Sequence, residues 1–181
     1  RAIDLGKRLG ARQINSLVGT ELPGMTREEQ IAYLADNLRW AVPHLEKARL
    51  PLMVEALNPY DNPGYLLTRS SEVLDLLKRV SSEWVKFQYD VYHMQRVEGD
   101  LVRTIRAHIA RIGHVQIADN PGRHQPGTGE INYRFVLQAL DEAGYDGYIG
   151  LEYIPLTTTV ESLNWLPKDK RVQSTAADLL L

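Results

Sequence analysis

Cysteine is absent from the 181 residues. That omission removes disulfides, thiolate metal sites and cysteine nucleophiles at once. It fits a reducing compartment, and with no secretory leader legible at the start the expected location is cytoplasmic. No apolar run approaches the roughly 20 residues that a bilayer-spanning helix needs. Charge of one sign is not in excess either, since 21 Lys and Arg against 23 Asp and Glu leave a net charge of −2. A chain so balanced gives no electrostatic reason to expect nucleic acid or an anionic membrane as partner. Also missing are a G-x-G-x-x-G turn after a strand and a Walker phosphate loop, which counts against the common doubly wound nucleotide folds. An initiator Met is lacking too. The chain opens inside what reads as a helix, with Ala2, Leu5 and Leu9 at helical spacing and Gly10 as its stop, so upstream sequence is expected.

What is present alternates between two periods. Short apolar runs at 12–20, 50–57, 84–90, 113–119 and 145–153 read as strands. Between them, 26–48, 68–80, 98–111 and 131–144 carry apolar residues every three or four positions and read as helices. Thr26 is a good N-cap, and Glu29 three residues on completes a capping box. Strand-then-helix units of these lengths imply a parallel sheet. A final helical turn is expected near Thr157, and residues 167–181 read as a weakly patterned tail to a domain over 1–166.

The strands share a feature that the alternation does not require. Each of four ends in or just before a polar group: Glu55, Asp90, Gln116 with Asp119, and Glu152. Taken singly, an acidic residue at a strand end is a solvated cap or an ion-pair partner. Repeated in four successive units, the pattern suits a (β/α)8 barrel, where strand carboxyl ends meet at the active-site face. Three carboxylates and an amide oxygen brought together would repel one another without a cation. A divalent ion with oxygen ligands, Mg²⁺ or Mn²⁺, is the economical partner, whereas zinc would call for His or Cys.

His93, three residues past Asp90, and Arg123 fall on the same face, and either could bind a substrate carboxylate or hydroxyl. Arg in particular forms bidentate clamps. The bland alternatives are a packed structural histidine and a solvated loop arginine. His44 and His108 read as structural. Arg123 belongs to the loop "DNPGRHQPGTGE", which also carries Asp119, His124 and Glu130. Its Pro-Gly pairs are tight turns, so the loop is expected to fold compactly as a lid or clamp, with Glu130 capping the next helix.

The stretches "EALNPYDNPGY", "QYDVYHMQRVEGDL", "GHVQIADNPGRHQPGTGEINY" and "GLEYIPLTTTVESLNW" together resemble the hydroxypyruvate isomerase family, within the xylose-isomerase-like TIM barrels. The resemblance runs from about Arg1 to Trp165. It implies interconversion of hydroxypyruvate and 2-hydroxy-3-oxopropanoate (tartronate semialdehyde), usually in glyoxylate metabolism. By position, it makes Glu55 and Glu152 the two catalytic glutamates, which also approach the metal, and Asp90 and Gln116 the remaining metal ligands. His93 and Arg123 match residues that contact substrate. Related ketose 3-epimerases usually carry His where Gln116 stands, which sets this chain on the isomerase side.

The implied reaction moves a carbonyl between adjacent carbons through an enediolate, one glutamate removing a proton and the other returning one. The expected partner is a small 2-oxo or hydroxy acid, and assembly into a homo-oligomer is left open. A 2-oxo-tetronate isomerase, a sugar epimerase and a catalytically silent fragment stand as alternatives. The last arises because strands one to three of an eight-unit barrel are expected to be absent.

Overall fold

The expected alternation is what the chain adopts in a computed structural model, which describes residues 1–171 and 173–180. The fold divides into two compact units, Arg1–Tyr89 and Asp90–Leu181, and each is taken on its own.

The first unit runs α1 (Ala2–Arg8), β1 (Ile14–Ser16), α2 (Arg27–Ala48), β2 (Leu52–Glu55), α3 (Ser70–Val80) and β3 (Val85–Asp90), whose last residue opens the second unit. The strands pair in parallel, with Ile14 beside Leu52, Leu52 beside Val85 and Glu55 beside Gln88. Thr26 starts α2 as expected. Its hydroxyl accepts the Glu29 N–H at 3.3 Å while Glu29 Oε2 accepts the Thr26 N–H at 2.7 Å, so two otherwise orphaned donors are satisfied reciprocally. The helix runs through Pro43 and stops at Arg49 in a left-handed conformation, φ 51°. In α3, Val73, Leu76, Leu77 and Val80 are buried at helical spacing, each worth about 1.5–3 kcal/mol of transfer free energy. β2 is buried at every position, which accounts for its unbroken apolar reading up to Glu55.

The second unit contains α4 (Val91–Val97), α5 (Leu101–His108), β4 (Ile112–Ile117), α6 (Tyr133–Glu142) and β5 (Ile149–Leu151). Here the expectation of one helix over 98–111 is corrected. A helix already begins at Val91 because Asp90 caps it, its Oδ1 accepting the His93 N–H at 2.9 Å. Gly99 and Asp100, at φ 62° and 48°, break the chain before α5. Glu130 is likewise not the cap of the following helix; Asn132 is, its Oδ1 accepting the Phe135 N–H at 3.1 Å.

β4 and β5 are parallel, with Gln116 beside Gly150. β5 is shorter than the expected 145–153, and its apolar residues face water, Ile149 being 36% and Leu151 46% exposed. Tyr148, Ile154 and Leu156 beside it are exposed as well. The described part of the 167–181 segment packs back on α6: Arg134 Nη2 donates to Leu179 O at 2.6 Å, and the Ala176 N–H to Asp141 Oδ2 at 2.9 Å. Residues 172 and 181 of that segment lie outside the described residues. No helix among the described residues is long and apolar enough to cross a membrane.

Candidate active site

Glu55 ends β2 and is 4% exposed. A carboxylate that deep requires donors, and the neighbouring strands supply them. Gln88 Nε2 donates to Glu55 Oε2 at 2.7 Å from β3, and Asn15 Nδ2 donates to the same oxygen at 3.3 Å from β1. Sequence reading missed both. Gln88 carries the clearer signal, since it is a polar residue in an apolar strand and shares the side of the pleat that Asp90 takes two residues later.

In the second unit, Asp90, His93, Gln116, Arg123 and Glu152 come from three chain segments. Asp90 is fully buried, and His93 is 1% exposed on the first turn of α4. Burial pushes the Asp90 carboxyl up to about 7, against the lowering effects of the His93 N–H and the Arg123 charge and with a further push from the charge of Glu152. Asp90 Oδ1 is occupied by the helix cap, while Oδ2 has no hydrogen-bond partner among the described residues.

Glu152 follows β5 directly. Gln116 Nε2 on β4 donates to its Oε2, and Arg123 Nη2 donates to its Oε1 at 3.2 Å. Its side chain remains 48% exposed, against 25% for Arg123. Arg123 also stacks on Tyr92, and the Tyr92 ring lies 5.3 Å from that of His93. Tyr133 OH donates to Ala118 O at 2.6 Å at the end of β4. Burial raises that phenol well above its ordinary range, with the charges of Asp90 and Asp119 adding to the shift.

The loop expected as a lid is tied down along its length. Arg123 O accepts the Ile154 N–H at 2.7 Å, His124 Nδ1 lies 2.7 Å from Ile154 O, and Gln125 Oε1 accepts the Leu156 N–H at 3.1 Å. Glu130, instead of capping α6, accepts from Asn120 Nδ2 and from Gln95 Nε2.

These donor atoms suit a hard divalent cation. The Asp90 oxygen is buried and unmatched, and carboxylate and amide oxygens are the ligands such ions prefer. Within this unit, Asp90, Gln116 and Glu152 could hold it.

Comparison with known proteins identifies the family of the chain that carries these residues. A hydroxypyruvate isomerase of Escherichia coli (strain K12) is 44% identical over 165 residues, 91% of this chain and 64% of that protein. A 2-oxo-tetronate isomerase of Cupriavidus necator is 36% identical over 166 residues, 92% of this chain and 64% of that protein. The crystal structure of a Brucella melitensis protein described as AP endonuclease, family 2 superposes with a TM-score of 0.87 at 35% identity, covering 91% of this chain and 63% of that one. The chain thus spans just under two thirds of the length of these relatives. Residues 1–169 match the family description "xylose isomerase-like TIM barrel". With strand–helix units in parallel ladders and acidic or amide side chains at the strand ends, this chain belongs to the xylose isomerase-like TIM barrel family.

Proposed function

We propose that the protein is a sugar-acid isomerase that interconverts hydroxypyruvate and 2-hydroxy-3-oxopropanoate, with Glu55 and Glu152 as its proton-transferring groups. The observation that carries the reading is the state of Glu152. One oxygen is held by the Gln116 amide and the other by the Arg123 guanidinium, beside the buried Asp90 carboxyl. A carboxylate oriented by two donors and still reachable from solvent suits proton abstraction from a bound acid.

Glu55, Asp90, Gln116 and Glu152 would hold a divalent cation, Mg²⁺ or Mn²⁺, with Gln116 using Oε1 because its Nε2 serves Glu152. When bound, the ion supplies positive charge against the negative charge that develops on the substrate's two oxygens. Arg123 binds the substrate carboxylate, and His93, at the foot of α4, faces a substrate hydroxyl. One glutamate removes the proton from the hydroxyl-bearing carbon. The other, or its conjugate acid, delivers a proton to the neighbouring carbon, while the hydroxyl proton passes from the one oxygen to the other, so the carbonyl moves by one position with no net gain or loss of protons.

The 2-oxo-tetronate relatives at 36% identity support a second substrate for the same chemistry. A full-length polypeptide containing this chain, assayed on hydroxypyruvate and on 2-oxo-tetronates with and without chelator, tests both readings. Chelator-sensitive turnover favouring hydroxypyruvate supports the proposal. A preference for the tetronates transfers it to the second substrate, and no isomerisation of either acid removes it.

A further inference from the structure

Asp119 lies two residues past β4 and is 1% exposed. Its carboxylate accepts backbone N–H groups from both limbs of the loop that follows. Oδ1 takes Asn120 at 2.9 Å and Ile131 at 3.1 Å; Oδ2 takes Gly127 at 2.9 Å, Thr128 at 3.0 Å and Gly129 at 2.9 Å. A carboxylate offers about four lone-pair sites, so this one is saturated by main chain alone. The Asp119 N–H reaches across to His124 O at 2.7 Å and closes the near limb. Gly129 permits the far limb to approach, because a Cβ there would overlap Asn120 O and lie 2.7 Å from Asp119 Oδ1.

Within the near limb stands Arg123, with φ 54°. A non-glycine residue holds that left-handed conformation only where its surroundings impose it. The hydrogen bonds to Ile154 and Leu156 fix the loop's outer side to the segment that begins at Glu152. The limbs anchored on Asp119 fix its inner side.

We infer that Asp119 is a positioning residue. By gathering the loop's amides it presents the Arg123 guanidinium to Glu152 and Tyr92 before any ligand arrives. Asp119 itself touches no substrate, and its effect reaches the reaction through Arg123. The substrate readout below rests on the proposed isomerase reading, whereas the exchange readout does not.

Two variants of the full-length polypeptide probe this. Asp119→Asn keeps the shape but turns one acceptor oxygen into a donor facing N–H groups. Gly129→Ala keeps every charge and pushes the far limb away. In both, amide hydrogen exchange at Ile154, whose partner is Arg123 O, is expected to speed up about tenfold or more, while Val115 of β4 and Val136 of α6 keep their protection. On hydroxypyruvate, KM is expected to rise about tenfold with kcat changed less than about threefold, and Asp119→Asn is expected to add nothing in an Arg123→Ala background. Unchanged exchange at Ile154, equal acceleration at all three amides, or multiplying effects of the two substitutions would overturn the inference. A wild-type enzyme inert toward hydroxypyruvate would count against the proposed substrate, and the exchange pattern would still decide the role of Asp119.

Discussion

The guanidinium of Arg123 lies 5.2 Å from the centre of the Tyr92 ring. Arg96 approaches the same ring at 5.5 Å, and its Nη1 donates to the Tyr92 hydroxyl at 2.7 Å. One aromatic ring therefore orients two cations, and only a planar, weakly hydrated group stacks in this way.

That contact predicts the outcome of Arg123→Lys. The ammonium retains the charge but loses both the stack and the forked geometry for a carboxylate. Expected is a KM for hydroxypyruvate raised about tenfold with kcat little changed, the signature of lost ground-state binding. Steady-state kinetics on the purified variant decide it, and an unchanged KM would place the carboxylate elsewhere.

Glu55→Gln and Glu152→Gln test the chemistry. General acid–base groups contribute about 10²–10⁴-fold, so kcat is expected to fall by about a thousandfold in each. The fold should survive, because the amide keeps an acceptor for Gln88 and Asn15 at position 55 and for Gln116 at position 152. Circular dichroism and melting establish the fold, and turnover retained by both variants would contradict the assignment.

The buried carboxyl of Asp90 predicts a pH dependence. Its value is pushed up to about 7 in the native state, against about 3.9 in an unfolded chain. Between those values the native protein keeps a proton that the unfolded one has released, so stability falls as pH rises through the window. In metal-free buffer, Tm is expected to decline from pH 5 to pH 7, and Asp90→Asn should flatten the decline. Ligation needs the ionised form, so Mg²⁺ or Mn²⁺ should raise Tm more at pH 7.5 than at pH 5. Equal increments at both pH values would remove Asp90 from the ligand set.

A control for stability alone comes from α2. Thr26→Ala removes the hydroxyl that accepts the Glu29 N–H, and loss of such a cap costs about 1 kcal/mol. Urea unfolding should show that loss with activity at saturating substrate unaffected.

The regular elements were legible where local signals agree. Helix α2 begins one residue after Thr26 because the capping box is a local, three-residue device. Glu55, Asp90, Gln116 and Glu152 were legible as candidates because each interrupts or ends an apolar strand. Helix α4 was not, since the residue that starts it, Asp90, also ends a strand, and no turn residues separate the two. Asn15 and Gln88 escaped because their meaning depends on a partner distant in sequence, Glu55. Asp119 was visible as a charged loop residue, but nothing local shows that its ligands are the amides of residues 127–129 and 131.

β5 leaves Ile149 and Leu151 in water, with Tyr148, Ile154 and Leu156 alongside. Such a greasy ribbon has a practical outcome at the bench. Concentrated stocks of this polypeptide should turn cloudy, more so as the concentration rises. Swapping Ile149 for lysine should keep the solution clear by giving that ribbon a charge that repels its own kind.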